Sequence, residues 1–118
     1  MNSLDKYSCF YYGRERKLRK EGKDLRETYM RMALALAEEA GAAGEIPVGC
    51  VIVRDGQVVG RGRNRREEKG SALSHAEVEA IAQANAALGD WRLEDCELYV
   101  TLEPCPMCAG AIINSRLR

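Results

Sequence analysis

At 118 residues the chain has room for one modest domain and not for two. It is 46% hydrophobic and 31% charged, and eighteen basic side chains balance eighteen acidic ones, so bulk charge selects no partner and a polyanion would have to be met by a local patch. No apolar run reaches the roughly 20 residues that span a bilayer, and the N-terminus lacks the basic-then-apolar order of a signal peptide, so no membrane partner is expected and the cytoplasm is the expected compartment.

Residues 1–24 are expected to form a poorly ordered, locally basic extension. There Lys6, Arg14, Arg16, Lys17, Arg19, Lys20 and Lys23 outnumber Asp5, Glu15, Glu21 and Asp24. The domain proper is expected over 25–118. From about Leu25 to Ala40, Met30, Ala33, Leu34 and Ala37 recur at helical spacing, with Gly41 and Gly44 as the stop. Val48 to Val53 is a β-branched run, Asp55-Gly56 is a hairpin dipeptide, and Val58 to Arg63 pairs back as a second strand. Asn64 to Leu73 reads as a charged loop, in which Arg61-Gly62-Arg63-Asn64-Arg65-Arg66 meets either phosphate or solvent. Ser74 is placed to cap a second helix running to about Leu88, with Val78, Ile81 and Ala82 on its core face. Leu98 to Leu102 is a third strand, Pro104 ends it, and Met107 to about Ser115 forms a third helix. The expected order is helix, strand, strand, helix, strand, helix.

The chemistry concentrates at two predicted helix starts. His75-Ala76-Glu77 opens one, and Pro104-Cys105-Pro106-Met107-Cys108 opens the other. One imidazole and two thiolates make three zinc ligands and leave a fourth tetrahedral position for water. A closed structural site would want a fourth protein ligand, and the sequence has no second histidine. The positive ends of two helices favour thiolate over thiol. Zinc brings the pKa of its water from about 15.7 to near 7, and Glu77, two residues from His75, is close enough to the metal to take that proton. Each piece has a plainer reading. A lone histidine is commonly a surface or core residue, Ser74-x-x-Glu77 is also a capping box, and a lone C-x-x-C also suits a redox pair or half a zinc knuckle. Five cysteines, an odd count, argue against a disulfide framework. Together, H-x-E and P-C-x-x-C about thirty residues on form the zinc deaminase signature.

At these residues the chain resembles the bacterial tRNA adenosine deaminases (TadA type) of the cytidine-deaminase-like zinc superfamily. The likeness includes Glu45-Ile46-Pro47-Val48-Gly49, Asn64-Arg65, Ser74-His75-Ala76-Glu77 and, most specifically, the run from Leu98 to Ile113. The resemblance implies a three-layer α/β/α sandwich, one zinc per chain, and hydrolytic deamination of adenosine to inosine at the tRNA wobble position. It further implies a homodimer and the anticodon arm of an arginine tRNA as partner. By position, Glu77 is catalytic, His75, Cys105 and Cys108 hold metal, and Asn64, Pro47, Val48 and Ala76 meet the substrate. Turn and strand-core roles compete for Pro47 and Val48, and a loop role competes for Asn64. Ser74 stands where these enzymes usually have alanine, and Cys50 reads as a small buried apolar residue. The family continues past the Ser115-Arg116-Leu117 position with further strands and helices, so an incomplete sheet with an unpaired strand edge is expected. A deaminase of a free base or nucleotide (guanine, cytosine or a pterin-like ring) and a zinc-binding fragment without activity are the alternatives.

Overall fold

The computed structural model describes residues 10–13 and 25–117. The elements are β1 (Phe10–Tyr12), α1 (Leu25–Ala42), β2 (Gly49–Arg54), β3 (Gln57–Arg63), α2 (Arg66–Lys69), α3 (Ala76–Leu88), β4 (Cys96–Val100) and α4 (Pro106–Asn114). The strands form one sheet in the order β1-β4-β2-β3. All three pairings are antiparallel. Alternation along the central strands sorts the core onto two faces. Val51, Val53 and Tyr99 pack beneath Tyr29, Met30 and Ala33 of α1. Cys50, Ile52, Leu98 and Val100 face Ala76, Ala80 and Ala84 of α3 and Ile112 of α4. The expected three-layer α/β/α sandwich is the observed architecture.

The helical repeat Met30, Ala33, Leu34 and Ala37 is buried as expected, although α1 runs through Gly41 to Ala42. Its chain reversal comes at Gly44, in the left-handed region at φ 82°. The Asp55-Gly56 turn has positive φ at both residues, 50° and 79°, the geometry a two-residue hairpin needs. The Tyr29 hydroxyl donates to the Gly56 carbonyl at 3.1 Å and ties the hairpin to α1.

Four expectations are corrected. Ser74 does not cap α3: the N-cap is His75, no side chain caps the helix, and Ser74 is buried with its carbonyl accepting from the Arg65 N–H. The core face of α3 is Ala76, Ala80, Ile81 and Ala84, while Ala82 is exposed and Val78 only half-buried. The segment expected to be a loop contains the one-turn helix α2, because the buried Glu45 carboxylate accepts from the N–H groups of Glu67 and Glu68 at 3.1 and 2.8 Å. Finally, the strand edge of β4 expected to be open is paired: Phe10, Tyr11 and Tyr12 lie opposite Val100, Tyr99 and Leu98. Phe10 and Tyr12 pack on the α3–α4 face, and the Tyr11 hydroxyl donates to Glu97 at 2.8 Å. The basic side chains assigned to the extension lie outside the described residues.

Helix α3 sits directly on β3 because two glycines let it. A Cβ on Gly60 would come within 2.3 Å of the Ala80 carbonyl oxygen, and one on Gly62 within 2.1 Å of that of Ala76. Neither contact is sterically possible, so a side chain there pushes α3, and with it His75 and Glu77, off the sheet. Gly62→Ala is expected to destabilise the domain by about 3 kcal/mol. Gly110→Ala, in α4 with nothing within 4 Å of the new methyl, is expected to be neutral or stabilising by up to about 1 kcal/mol. Urea unfolding of the two variants checks the contrast.

Candidate metal centre and active-site cleft

The start of β2 lies between the ends of its neighbours. The Asn64 N–H donates to the Val48 carbonyl at 3.1 Å, and the Thr101 N–H to that of Gly49 at 3.2 Å. The Gly49 N–H returns a bond to the Thr101 hydroxyl at 3.1 Å. The chain leaving β3 and the chain leaving β4 are thereby held on either side of Val48, and both then run toward a helix start. His75 is the N-cap of α3 and Cys105 the N-cap of α4, each in extended backbone. Pro106, with its preset φ and no N–H to satisfy, occupies the first turn of α4. Neither N-cap side chain bonds its own helix. Both turn instead toward each other, joined by Cys108 from the first turn of α4.

His75 Nδ1 lies 3.6 Å from Cys105 Sγ and 3.5 Å from Cys108 Sγ. All three ligand atoms fall within 4.8 Å of one another. Zinc bonded tetrahedrally at about 2.3 Å to sulfur and about 2.05 Å to nitrogen would set N···S at about 3.6 Å. The donor set and its spacing therefore fit zinc. His75 and Cys105 are half-buried and Cys108 is fully buried. Burial, with the nearby Glu77 and Cys105, pushes the Cys108 thiol above its ordinary range, so loading the site displaces a proton. Cys50 is equally buried on β2, its thiol raised by burial and by the fields of Glu77 and Cys108. It is not among the clustered ligands. All four described cysteines are free of disulfides.

Glu77 is 4% exposed on the first turn of α3. Burial pushes its carboxyl above the usual carboxylate range, opposed by its own N–H, by the His75 charge and by a hydrogen bond with Cys108. A cleft of about 120 Å³ opens over this floor, lined by Ile46, Val48, Asn64, Arg66, His75, Ala76, Glu77, Leu102, Glu103 and Cys105. Of the residues singled out in the sequence, Val48, Asn64 and Ala76 line it with His75, Cys105 and Glu77. Pro47 is exposed and outside the lining, turned toward Gly41. Asn64 is buried: its Nδ2 donates to the Ile46 carbonyl at 3.3 Å, and its Oδ1 accepts from the Arg66 N–H at 3.2 Å. The loop role open to it in the sequence is thus filled, and one amide hydrogen and one lone pair remain. Ile46, Leu102 and Glu103 are not candidate site residues in the sequence, and Arg66 is one there only within the basic run that meets either phosphate or solvent. Ile46 precedes β2, the other three follow β3 or β4, and no periodicity marks any of them. Tyr12 was not foreseen. Burial, then Glu103 and Glu77, raise its phenol, which sets the N-terminal strand within the electrostatic reach of the cleft.

A histidine and two cysteines at paired helix starts, with a buried carboxylate beside them and a cleft above, form a cluster whose donor set fits a zinc ion. Residues 23–118 match the cytidine and deoxycytidylate deaminase zinc-binding region, and the chain belongs to that family. Zinc is accordingly the cofactor of this domain. A tRNA-specific adenosine deaminase of Streptococcus pyogenes is 54% identical over 89 residues, which cover 75% of this chain and 56% of that protein. A solved structure from studies of A-to-I editing by tRNA:A34 deaminases at the wobble position of transfer RNA superposes with a TM-score of 0.78 at 46% identity, covering 80% of this chain and 73% of the other. Guanine deaminase from Bacillus subtilis superposes with a TM-score of 0.74 at 44% identity, covering 78% and 59%. The chain spans about half the length of the curated relatives it matches.

Proposed function

We propose that this chain carries the catalytic centre of a tRNA adenosine deaminase that converts the wobble adenosine to inosine. The observation that carries the chemistry is the buried Glu77 carboxyl beside the His75, Cys105 and Cys108 cluster on the floor of the cleft. The name of the Streptococcus pyogenes relative supports the substrate. His75, Cys105 and Cys108 hold the zinc, which when bound supplies the Lewis acidity that makes water nucleophilic near neutral pH. Glu77, with its carboxyl raised by burial, accepts a proton from the attacking water and delivers it to the ring nitrogen next to the carbon under attack. It then moves the second proton to the departing amine, so that water and an amidine carbon become a carbonyl and ammonia. Val48 and Ala76 hold the base between apolar walls, and the spare amide valences of Asn64 fix its edge. In the cell we assign the chain to the cytoplasm, acting as a homodimer on the anticodon arm of an arginine tRNA, with the domain proper beginning near residue 25 and the strand at residues 10–12 added to its sheet edge. Among the described residues no helix is long and apolar enough to cross a membrane.

The test is inosine in an anticodon stem-loop bearing adenosine at the wobble position, read by mass spectrometry of the digested RNA after incubation with the zinc-loaded chain. Inosine is expected. A second reading, hydrolysis of a free base, has one specific support in the likeness to the Bacillus subtilis guanine deaminase. Ammonia release from guanine with none from the stem-loop would replace the first reading by the second.

A further inference from the structure

The basic run from the end of β3 into α2 is mostly occupied within the protein. Arg63 and Arg65 both pair with Glu68, and Arg65 and Lys69 with Glu79. Arg66 is different. Among the described residues its side chain has neither an ion pair nor a hydrogen bond, and it is the one arginine or lysine that lines the cleft. Its backbone, by contrast, is firmly held. The N–H donates to Asn64 Oδ1 at 3.2 Å, the carbonyl accepts from the Ser71 N–H at 3.0 Å, and the next two N–H groups are bound by the buried Glu45 carboxylate. A free guanidinium thus stands on a fixed base at the margin of a cleft whose walls are apolar and whose floor is the metal cluster. Glu103, the other exposed charge in the lining, belongs to the chain leaving β4, on the opposite side of Val48 from Arg66. An anion entering with the base is repelled by Glu103 and drawn to Arg66.

We infer that Arg66 grips the phosphate attached to the target nucleoside, so that the cleft takes a base presented on a sugar-phosphate chain rather than a free base. A guanidinium offers a planar pair of donors suited to phosphate oxygens. This rests on the deaminase reading above and names the substrate class within it. A strand phosphodiester is the expected source of the phosphate, and a free 5′-monophosphate is the other.

The experiment compares the zinc-loaded chain with Arg66→Ala and Arg66→Lys, and with Arg54→Ala, which removes an exposed arginine at the far end of β2. Anisotropy of a labelled anticodon stem-loop is measured over a salt series, and deamination is followed on the stem-loop, on adenosine 5′-monophosphate and on adenosine. Arg66→Ala is expected to weaken stem-loop binding about 5- to 10-fold and to reduce the salt slope by about 0.7, the loss of one phosphate contact. Arg66→Lys should recover part of the affinity. Arg54→Ala, turnover of adenosine and zinc content should not change. A loss confined to the monophosphate would move the contact to a free nucleotide and overturn the strand assignment. Binding and salt slope equal to the parent chain's would overturn the proposal altogether. Because binding is read without turnover, absence of inosine with the parent chain would count against the deaminase reading while the anisotropy still decided the role of Arg66.

Discussion

Glu77→Gln is expected to lower deamination by about 10³-fold, within the range that a positioned acid–base group contributes, while zinc content and melting temperature stay within error of the parent chain. The amide has nearly the volume of the carboxyl, so a residue only 4% exposed is replaced without a cavity. Its oxygen still accepts from the backbone, and α3 loses no cap, because neither Ser74 nor the N-cap side chain caps the helix in the first place. What disappears is a group that can hold and release a proton. Glu77→Asp separates this from simple loss of charge. It keeps the carboxyl but shortens its reach by one methylene, and is expected to fall between the parent and the glutamine variant. Inosine formation under single-turnover conditions, with metal analysis of the same samples, gives the answer. A glutamine variant within 10-fold of the parent would remove Glu77 from the proton path.

The contrast between what was legible and what was not has physical causes. The zinc cluster was readable because histidine and cysteine are the ligand chemistry itself, and a C-x-x-C at a helix start can converge on one point without help from the rest of the fold. The first helix was readable because Met30, Ala33, Leu34 and Ala37 repeat at helical spacing against a largely charged opposite face. In α3 that signal failed. Alanine occurs on every side of the helix, so nothing local tells Ala82 from Ala84. The choice is made by Gly60 and Gly62 on another element, whose missing side chains admit the Ala76, Ala80 and Ala84 edge. The one-turn helix α2 was invisible for a similar reason: its cap, Glu45, lies 22 residues away in sequence. Strand β4 was placed two residues late because Glu97 reads as polar. In the fold it is buried and accepts from the Tyr11 hydroxyl. The three residues of β1 were hidden among charges, and their conformation comes from the edge of β4 that they complete. The cleft margin shares this property. Ile46, Arg66, Leu102 and Glu103 are brought together by the alignment of three strand ends, and no pattern within any one segment records it.

Removal of a metal ligand should have the largest effect on the molecule as a whole. His75→Ala, Cys105→Ser and Cys108→Ser are each expected to abolish stoichiometric zinc binding and to lower the melting temperature sharply. Zinc contributes about 10–16 kcal/mol to the folding of small zinc-dependent peptides, which is comparable to the roughly 5–15 kcal/mol net stability of a whole domain. The reason is visible in the packing. α3 and α4 both lie on one face of the sheet, and the cluster is the point at which their starts are joined. Without zinc, the buried Cys108 thiol is held protonated by its surroundings and contributes no charge to bind His75. Cys105→Ser tells metal loss from damage to the core, because Cys105 is half-buried and serine nearly matches its size. Its melting temperature should equal that of the parent chain stripped by a chelator, and chelator should not lower it further. Cys108→Ser should lie lower still, since it also places a hydroxyl where the thiol is completely buried. Cys50→Ala, buried nearby but outside the ligand cluster, should keep its zinc and lose only the stability of a small cavity. A variant of His75, Cys105 or Cys108 that retains full zinc occupancy would exclude that side chain from the ligand set.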